Sequence, residues 1–138
     1  CLGGAQGAME GCMEWAMARE QFGAPVATKQ SVYFMIADMA AEIEALRSLI
    51  YRTAWLIDTH QPHIKEAAVC KLFGSEVASR CIHTAVQIHG ALGYSRDYWV
   101  ERAYRDARIA EIFEGTNEIQ RIVLASNLFR PYGVRIPS

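Results

Sequence analysis

The chain has 138 residues, of which 51% are hydrophobic and 21% charged, and its formal net charge is −1. One domain with a buried core is expected at this length, and the composition excludes a disordered chain. A nearly neutral chain is not typical of proteins that bind nucleic acid or an anionic membrane surface. No apolar run reaches the roughly 18 residues of a membrane span. We therefore predict neither nucleic acid nor a membrane as a partner.

The first ten residues, CLGGAQGAME, contain neither a starting methionine nor a basic segment followed by an apolar one. They do not resemble a secretion signal, so the protein is predicted not to be secreted. They are typical of the interior of a helix, as expected for a chain that begins inside a longer protein. The four cysteines form no CxxC pair, which argues against a zinc site. Free, buried thiols of a reducing compartment are favoured over disulfides for Cys1, Cys12, Cys70 and Cys81.

Hydrophobic residues recur at helical spacing through the first two segments. Residues 2–20 form the first predicted helix, which ends where Gly23 and Pro25 occupy the following loop. The second predicted helix covers residues 28–58 and carries the strongest periodic pattern in the chain. Its apolar stripe comprises Val32, Met35, Ile36, Met39, Ile43, Leu46, Ile50, Thr53 and Ile57.

The third predicted helix, residues 64–89, has a face that is small as well as apolar. Because small residues let another backbone approach closely, this helix is expected at the centre of the fold. A break at residues 90–94 separates it from a short helix over residues 98–110. Thr116 is placed to cap a last helix that runs to Phe129. The small face comprises Cys70, Gly74, Val77, Cys81, Ala85 and Ile88.

The sequence contains no strand pattern and no repeat, so an all-α fold is predicted. Four long helices joined by short loops are typical of an antiparallel up-down four-helix bundle, here with a short extra helix before the last one. We assign residues 1–130 to this domain and residues 131–138 to an extended C-terminal tail. A di-iron site of the kind such bundles can hold needs Glu-x-x-His pairs that the sequence lacks, so no metal is predicted.

Four stretches carry polar residues and glycines that a bundle does not need: 19–23 (REQFG), 29–30 (KQ), 87–94 (QIHGALGY) and 112–121 (IFEGTNEIQR). With YRDA at 104–107, they stand in the order found in the acyl-CoA dehydrogenase family. From Leu2 to Phe129 the chain resembles the C-terminal helical domain of that family. The resemblance implies a flavin-dependent enzyme that introduces an α,β double bond into an acyl-CoA thioester.

Glu114 is the catalytic residue that the resemblance implies. It matches the family's base, which removes the α-proton of the acyl-CoA while the β-hydrogen leaves as hydride to FAD. A carboxylate is a stronger base when water is excluded, and Phe113 beside it is expected to exclude water. Gly115 would let the substrate approach the backbone, which makes it a predicted substrate contact. From the residues alone, a solvated glutamate in a turn is the alternative.

The resemblance also implies which residues contact FAD. Gln87 and Gly90 match the segment that receives the FAD of a neighbouring subunit. Many relatives carry glycine at the position of Ala91 and glutamine at that of Glu118. Because an acid would repel a phosphate, Glu118 is expected near the ribose instead. The implied FAD contacts are Arg19, Gln21, Phe22, Gln30, Gln87, Gly90, Ala91, Thr116 and Glu118.

The same resemblance implies the partners and the location. The substrate would be an acyl-CoA, the electron acceptor an electron-transfer flavoprotein or a similar protein, and the assembly a homodimer or homotetramer. The expected location is the bacterial cytoplasm or the mitochondrial matrix. Family members precede this domain with a helical domain and a β-barrel domain, so the chain by itself is expected to be inactive. The alternative from another class is a non-enzymatic helical bundle that only holds subunits together.

Overall fold

The computed structural model describes residues 1–137, and Ser138, the end of the predicted tail, lies outside the described residues. In chain order the elements are α1 (Leu2–Ala18), β1 (Glu20–Gln21), β2 (Ala24–Pro25), α2 (Gln30–Asp58), α3 (Ile64–His89), α4 (Ala91–Tyr94), α5 (Trp99–Arg108) and α6 (Asn117–Phe129). Turns of 3₁₀ helix lie at Val26–Thr28, Ile109–Glu111 and Arg130–Tyr132. The all-α prediction, with a short helix before the last one, is confirmed. None of the helices over residues 1–137 combines the length and the hydropathy that a membrane crossing requires.

The central helix is α3, as its small apolar face predicted. It packs against α1, α2, α5 and α6. Val77 and Ala85 are fully buried, and Gly74 faces Leu46 of α2. A Cβ atom on Gly74 would lie 3.3 Å from Cδ1 of Leu46, so the two helices approach closely because this position lacks a side chain.

The core between α1, α2 and α3 follows the predicted stripe of α2. Met39, Ile43 and Leu46 are buried against a row of small residues on α1, which include Ala5 and Ala8. The far end of the stripe departs from the prediction, because Ile57 is half-exposed near the end of α2. Alanines on α1 let α2 and α3 come close to its backbone, which brings the three helices into one core.

The cysteines are free thiols, as predicted, although not all of them are buried. Cys12 and Cys81 lie in the core, where burial raises their pKa values to about 12 and about 11. Both are therefore protonated near neutral pH. Cys70 is half-buried, and Cys1, the residue before α1, is exposed. The prediction of burial was wrong for Cys1.

The connection between α1 and α2 was not predicted correctly. The first helix ends at Ala18, and Glu20, predicted as helical, begins a two-stranded antiparallel hairpin. Phe22 and Gly23 at its tip have φ values of 54° and 74°. Positive φ at both central positions matches the twist of the flanking strands in a two-residue hairpin loop. Strands of two residues are too short to show alternation, which is why the sequence contained no strand pattern.

Two further segments are more helical than predicted. Gly90 ends α3 with φ 61° and ψ −137°, a conformation that glycine adopts readily, but Ala91–Tyr94 then form a helical turn. Gly93 packs this turn onto α3, since a Cβ atom there would lie 2.8 Å from the Val86 carbonyl oxygen. In the tail, Arg130–Tyr132 form a 3₁₀ turn where an extended chain was expected, with Pro131 near its start.

Candidate active site

Glu114 lies in the turn between the 3₁₀ turn after α5 and the start of α6. Its φ is 54°, and Gly115 follows with φ 83°. A left-handed conformation costs a residue with a side chain about 1–2 kcal/mol, so the surrounding structure must hold this turn. The exclusion of water expected from Phe113 was wrong for the described residues: Glu114 is exposed and Phe113 is half-exposed. Phe113 instead lines a neighbouring groove.

The first turn of α6 begins directly after the turn that carries Glu114. The Thr116 hydroxyl accepts a hydrogen bond from the Ile119 backbone N–H at 3.4 Å, which confirms the predicted cap. Glu118 is exposed, and its own backbone N–H, followed by the Thr116 hydroxyl, lowers the pKa of its carboxyl group. An ionised Glu118 at this position also interacts favourably with the dipole of α6.

A groove runs between α1 and α5, and its lining includes Phe113, the residue before Glu114. It has a volume of about 710 Å³. Glycines on α1 form one wall, and Trp99 and Ala103 of α5 form the other. Gly11 and Trp99 are in contact across it, because a Cβ atom on Gly11 would lie 2.6 Å from Cζ2 of Trp99. The remaining lining residues are mostly apolar, but Glu10, Glu14 and Asp106 also line the groove.

A second concave site brings together residues that lie far apart in the sequence. Arg19 from the end of α1 and Gln21 from β1 meet Gly90 and Ala91 at the end of α3, in a pocket of about 330 Å³. Arg19 forms no ion pair with any residue of the described chain. A guanidinium, an amide and an open glycine backbone in one pocket are suited to an anionic ligand such as a diphosphate.

His89 also lines this second pocket, although no binding role was expected for it from the sequence. It is buried and stacks on Trp15, with 5.1 Å between the ring centroids. Burial lowers its pKa, against an opposing hydrogen bond to the Ala85 carbonyl oxygen at 2.7 Å. The neutral ring therefore donates from Nδ1 to that carbonyl, which leaves Nε2 as an acceptor with no partner in the described chain.

Other predicted FAD contacts lie outside this pocket. Phe22 is at the tip of the hairpin and is 95% exposed. Gln30 begins α2 and Gln87 lies near the end of α3; both side chains are exposed, and neither lines the pocket in the described structure. Thr116 and Glu118 lie beside Glu114 instead. The predicted site residues thus form one group beside Glu114 and a second in the Arg19 pocket, while Phe22, Gln30 and Gln87 belong to neither.

Sequence reasoning missed the residues that hold the Glu114 turn. The Gln120 side chain donates to the carbonyl oxygens of Glu114 and Gly115, at 3.4 and 3.3 Å. Asn117 is buried and bonded to α3. Both lie in the stretch 112–121 that was singled out, but their partners could not be identified from spacing alone. Within residues 1–137, His, Cys, Asp and Glu side chains form no group of three suited to a metal ion.

The family model for the acyl-CoA dehydrogenase C-terminal domain matches residues 1–129. The chain belongs to the acyl-CoA dehydrogenase family. It is 49% identical to the human mitochondrial short-chain specific acyl-CoA dehydrogenase over 131 residues. The matched region covers 95% of this chain and 32% of that protein. It is 43% identical over 129 residues to subunit CarC of the caffeyl-CoA reductase–Etf complex of Acetobacterium woodii, covering 94% of this chain and 34% of that subunit.

A solved structure of butyryl-CoA dehydrogenase from Megasphaera elsdenii has the same fold. Its TM-score is 0.91 at 43% identity, over 94% of this chain and 34% of that one. The chain therefore spans about a third of the length of the relatives it matches, and it matches the helical domain at their C-terminal end. The resemblance that the motifs indicated is confirmed at the level of the family.

Proposed function

We propose that this chain is the domain of a flavin-dependent acyl-CoA dehydrogenase that supplies the catalytic base, Glu114. The observation that carries the proposal is the left-handed turn at Glu114 and Gly115, which holds an exposed carboxylate directly after Phe113, a lining residue of the groove between α1 and α5. A residue held in this conformation outside a helix is typical of functional sites. Loss of a proton from carbon α and of a hydrogen with its electron pair from carbon β leaves a double bond between them.

The groove between α1 and α5 is the proposed site of the acyl chain. Its glycine wall leaves room for methylene groups, and Phe113, the neighbour of Glu114 in sequence, contributes to its lining. Burial of each methylene group stabilises binding by about 0.8 kcal/mol, which would hold the chain without polar contacts. Carbon α must then lie within hydrogen-bond reach of the Glu114 carboxylate, and Gly115 allows the thioester to approach the backbone.

The second pocket fits the diphosphate of FAD. Arg19 and Gln21 would bind its oxygens, while Gly90 and Ala91 leave the backbone open to the ligand. Phe22, exposed at the hairpin tip, and Gln30 and Gln87 would contact the parts of FAD beyond this pocket, and Thr116 and Glu118 the part near Glu114. The chemistry that a bound flavin supplies is acceptance of the β-hydrogen as a hydride.

The remaining partners follow from the family. The name of the CarC relative includes an Etf complex, and we propose an electron-transfer flavoprotein or a similar protein as the electron acceptor here. We also propose a homodimer or homotetramer in the bacterial cytoplasm or the mitochondrial matrix. Residues 1–130 would form the domain and 131–138 its tail.

The decisive experiment is the Glu114→Gln variant of the full-length protein. Glutamine keeps the size of the side chain but cannot take up the α-proton, so turnover with acyl-CoA should fall by about 10²–10⁴-fold, the usual contribution of a general base. Bound flavin should stay unchanged, because Glu114 does not line the Arg19 pocket, which is the proposed site of the diphosphate. Glu44→Gln, at an exposed position of α2, is the matched control.

The same experiment addresses the alternative function. A non-enzymatic bundle that only holds subunits together needs no base, so Glu114→Gln would leave every property of the protein unchanged. Retained turnover in this variant would refute Glu114 as the base. Absence of both bound flavin and turnover in the wild-type protein would favour the bundle.

A further inference from the structure

The turn that carries Glu114 is tied to α3 on both of its sides. Lys71, Ser75 and Ser79 are spaced by four residues, so they project from one face of α3. Lys71 and Ser75 reach Asn117, which follows the turn. Ser79 reaches Glu111, which precedes it. One helix face therefore fixes both ends of the segment that holds the proposed base.

Asn117 is anchored on the α6 side. It is buried, and its Oδ1 accepts a hydrogen bond from Lys71 Nζ at 2.8 Å and lies 3.0 Å from the hydroxyl of the buried Ser75. The Lys71 ammonium fixes the orientation of the amide, because the flipped amide would place its NH₂ group against a cation. Nδ2 is buried without a partner in the described chain, which is unfavourable.

Glu111 is anchored on the other side, in the 3₁₀ turn after α5. The Ser79 hydroxyl donates to Oε1 at 2.5 Å, and Arg108 Nη1 donates to Oε2 at 2.6 Å. Ser79, followed by Arg108, holds the pKa of the Glu111 carboxyl below its ordinary range. The carboxylate is therefore ionised near neutral pH and accepts both bonds. Charge-assisted bonds of this kind are about twice as strong as neutral ones.

Gln120 braces the turn between these two anchors. Its Nε2 donates to the carbonyl oxygens of Glu114 and Gly115, the two left-handed residues. The Gln120 side chain packs closely against the backbone of Gly115, since a Cβ atom on Gly115 would lie 2.9 Å from Nε2 of Gln120. The bonds lengthen if either residue leaves the left-handed region, so they oppose relaxation of the turn.

We propose that Asn117, Glu111 and Gln120 are positioning residues that hold the turn in its left-handed form and thereby fix the carboxylate of Glu114. The inference rests on the proposed role of Glu114 as the base. A general base must lie within hydrogen-bond reach of its proton, and a misplacement of 1 Å can cost about 10²-fold in rate. Without these contacts the left-handed Glu114 would relax toward conformations that other residues prefer.

The test uses variants of the full-length protein, with kcat and KM for an acyl-CoA measured per bound flavin. Asn117→Leu should lower kcat by about 10- to 100-fold with KM within about twofold, because the base is misplaced while the binding groove is intact. Asn117→Asp should keep kcat within about threefold of wild type, since its carboxylate still accepts from Lys71 and Ser75. Gln120→Met removes the donor to the Glu114 and Gly115 carbonyl oxygens, and Ser79→Ala removes the donor to the Glu111 carboxylate. Each variant should lower kcat by about 3- to 10-fold.

A second readout is independent of catalysis. Amide hydrogen exchange over residues 113–117 should be faster in Asn117→Leu and Gln120→Met than in wild type. The matched control is Gln61→Met in the loop before α3, where Gln61 Nε2 also lies near a backbone carbonyl, that of Thr59. The control should change neither kcat nor exchange over residues 113–117.

The inference is overturned if Glu114→Gln is inactive while Asn117→Leu and Gln120→Met retain kcat within threefold. It is also overturned if the Asn117→Asp variant loses as much kcat as Asn117→Leu, or if KM and bound flavin change in parallel with kcat. Should Asn117→Leu fail to fold, Gln120→Met decides the matter. Activity of Glu114→Gln itself would refute the proposed function, and the positioning role with it.

Discussion

Replacement of Gly11 by alanine should disturb the contact between α1 and α5. The added Cβ atom would lie 2.6 Å from Cζ2 and 3.3 Å from Cη2 of Trp99. Real Cβ atoms do not approach another carbon so closely, so the indole ring or one of the helices must move. The ring is not free to do so, because it packs against His89 and Tyr98 at centroid distances of 5.8 and 6.2 Å.

The magnitude follows from comparison with Gly7, one helical turn earlier on the same groove wall. A Cβ atom on Gly7 has nothing within 4 Å, so Gly7→Ala should stabilise the chain by about 1 kcal/mol through helix propensity alone. Gly11→Ala gains the same propensity but overpacks the contact with Trp99, at a cost of about 1–3 kcal/mol. The propensity term cancels in the comparison, so the two variants should differ by about 1–3 kcal/mol in free energy of unfolding.

The assay is urea unfolding of wild type and both variants under one set of conditions. With an m-value of about 2 kcal/mol/M, the midpoint of Gly11→Ala should lie about 0.5–1.5 M below that of Gly7→Ala. In a Trp99→Phe background, which removes the clashing ring atoms, this gap should shrink by at least half. A midpoint for Gly11→Ala equal to or above that of Gly7→Ala would refute the reasoning, since it would mean that Trp99 moves without cost.

Two further predictions concern pH and assembly. Burial lowers the pKa of His89 in the folded chain, whereas a histidine in the unfolded chain has a pKa near 6.5. As the pH falls below 6.5, the unfolded chain therefore binds a proton at this residue before the folded chain does. The free energy of unfolding should be unaffected by His89 well above pH 6.5 and should decrease as the pH falls below it. His89→Phe should flatten the dependence of the urea midpoint between pH 7.5 and 5.5, and an unchanged dependence would contradict this. The exposed aromatics Phe34, Tyr51 and Trp55 on α2 should drive self-association, because monomers rarely leave such a face in water. Sedimentation equilibrium at micromolar concentration should give a dimer or tetramer, and a monomer mass of 15.4 kDa would contradict it.

The sequence by itself determined the long helices and their order. The stripe of α2 repeats at steps of three and four, and its middle residues, Met39, Ile43 and Leu46, are buried as predicted. The small face of α3 predicted a central helix because only small side chains let several helices approach one backbone. Local chemistry also fixed the cap at Thr116. These features depend on neighbours within one or two helical turns.

Motif order identified the family, but the motifs alone did not show which residues share a site. Arg19 and Gln21 meet Gly90 and Ala91 only because α1 and α3 pack side by side, some seventy positions apart in the chain. The hairpin at Glu20–Pro25 is too short for a strand pattern, and its conformation depends on positive φ at Phe22. A bulky aromatic residue does not predict that conformation.

The tertiary structure alone decided the surroundings of Glu114. Phe113, its neighbour in sequence, turns into the groove between α1 and α5 and leaves the carboxylate exposed. Asn117 looks like an ordinary polar residue at a helix start, yet it is buried because Lys71 and Ser75 on α3 supply donors to it. Such partners lie more than forty residues away in the chain. Burial and hydrogen bonding at this distance arise from helix packing, which local spacing does not encode.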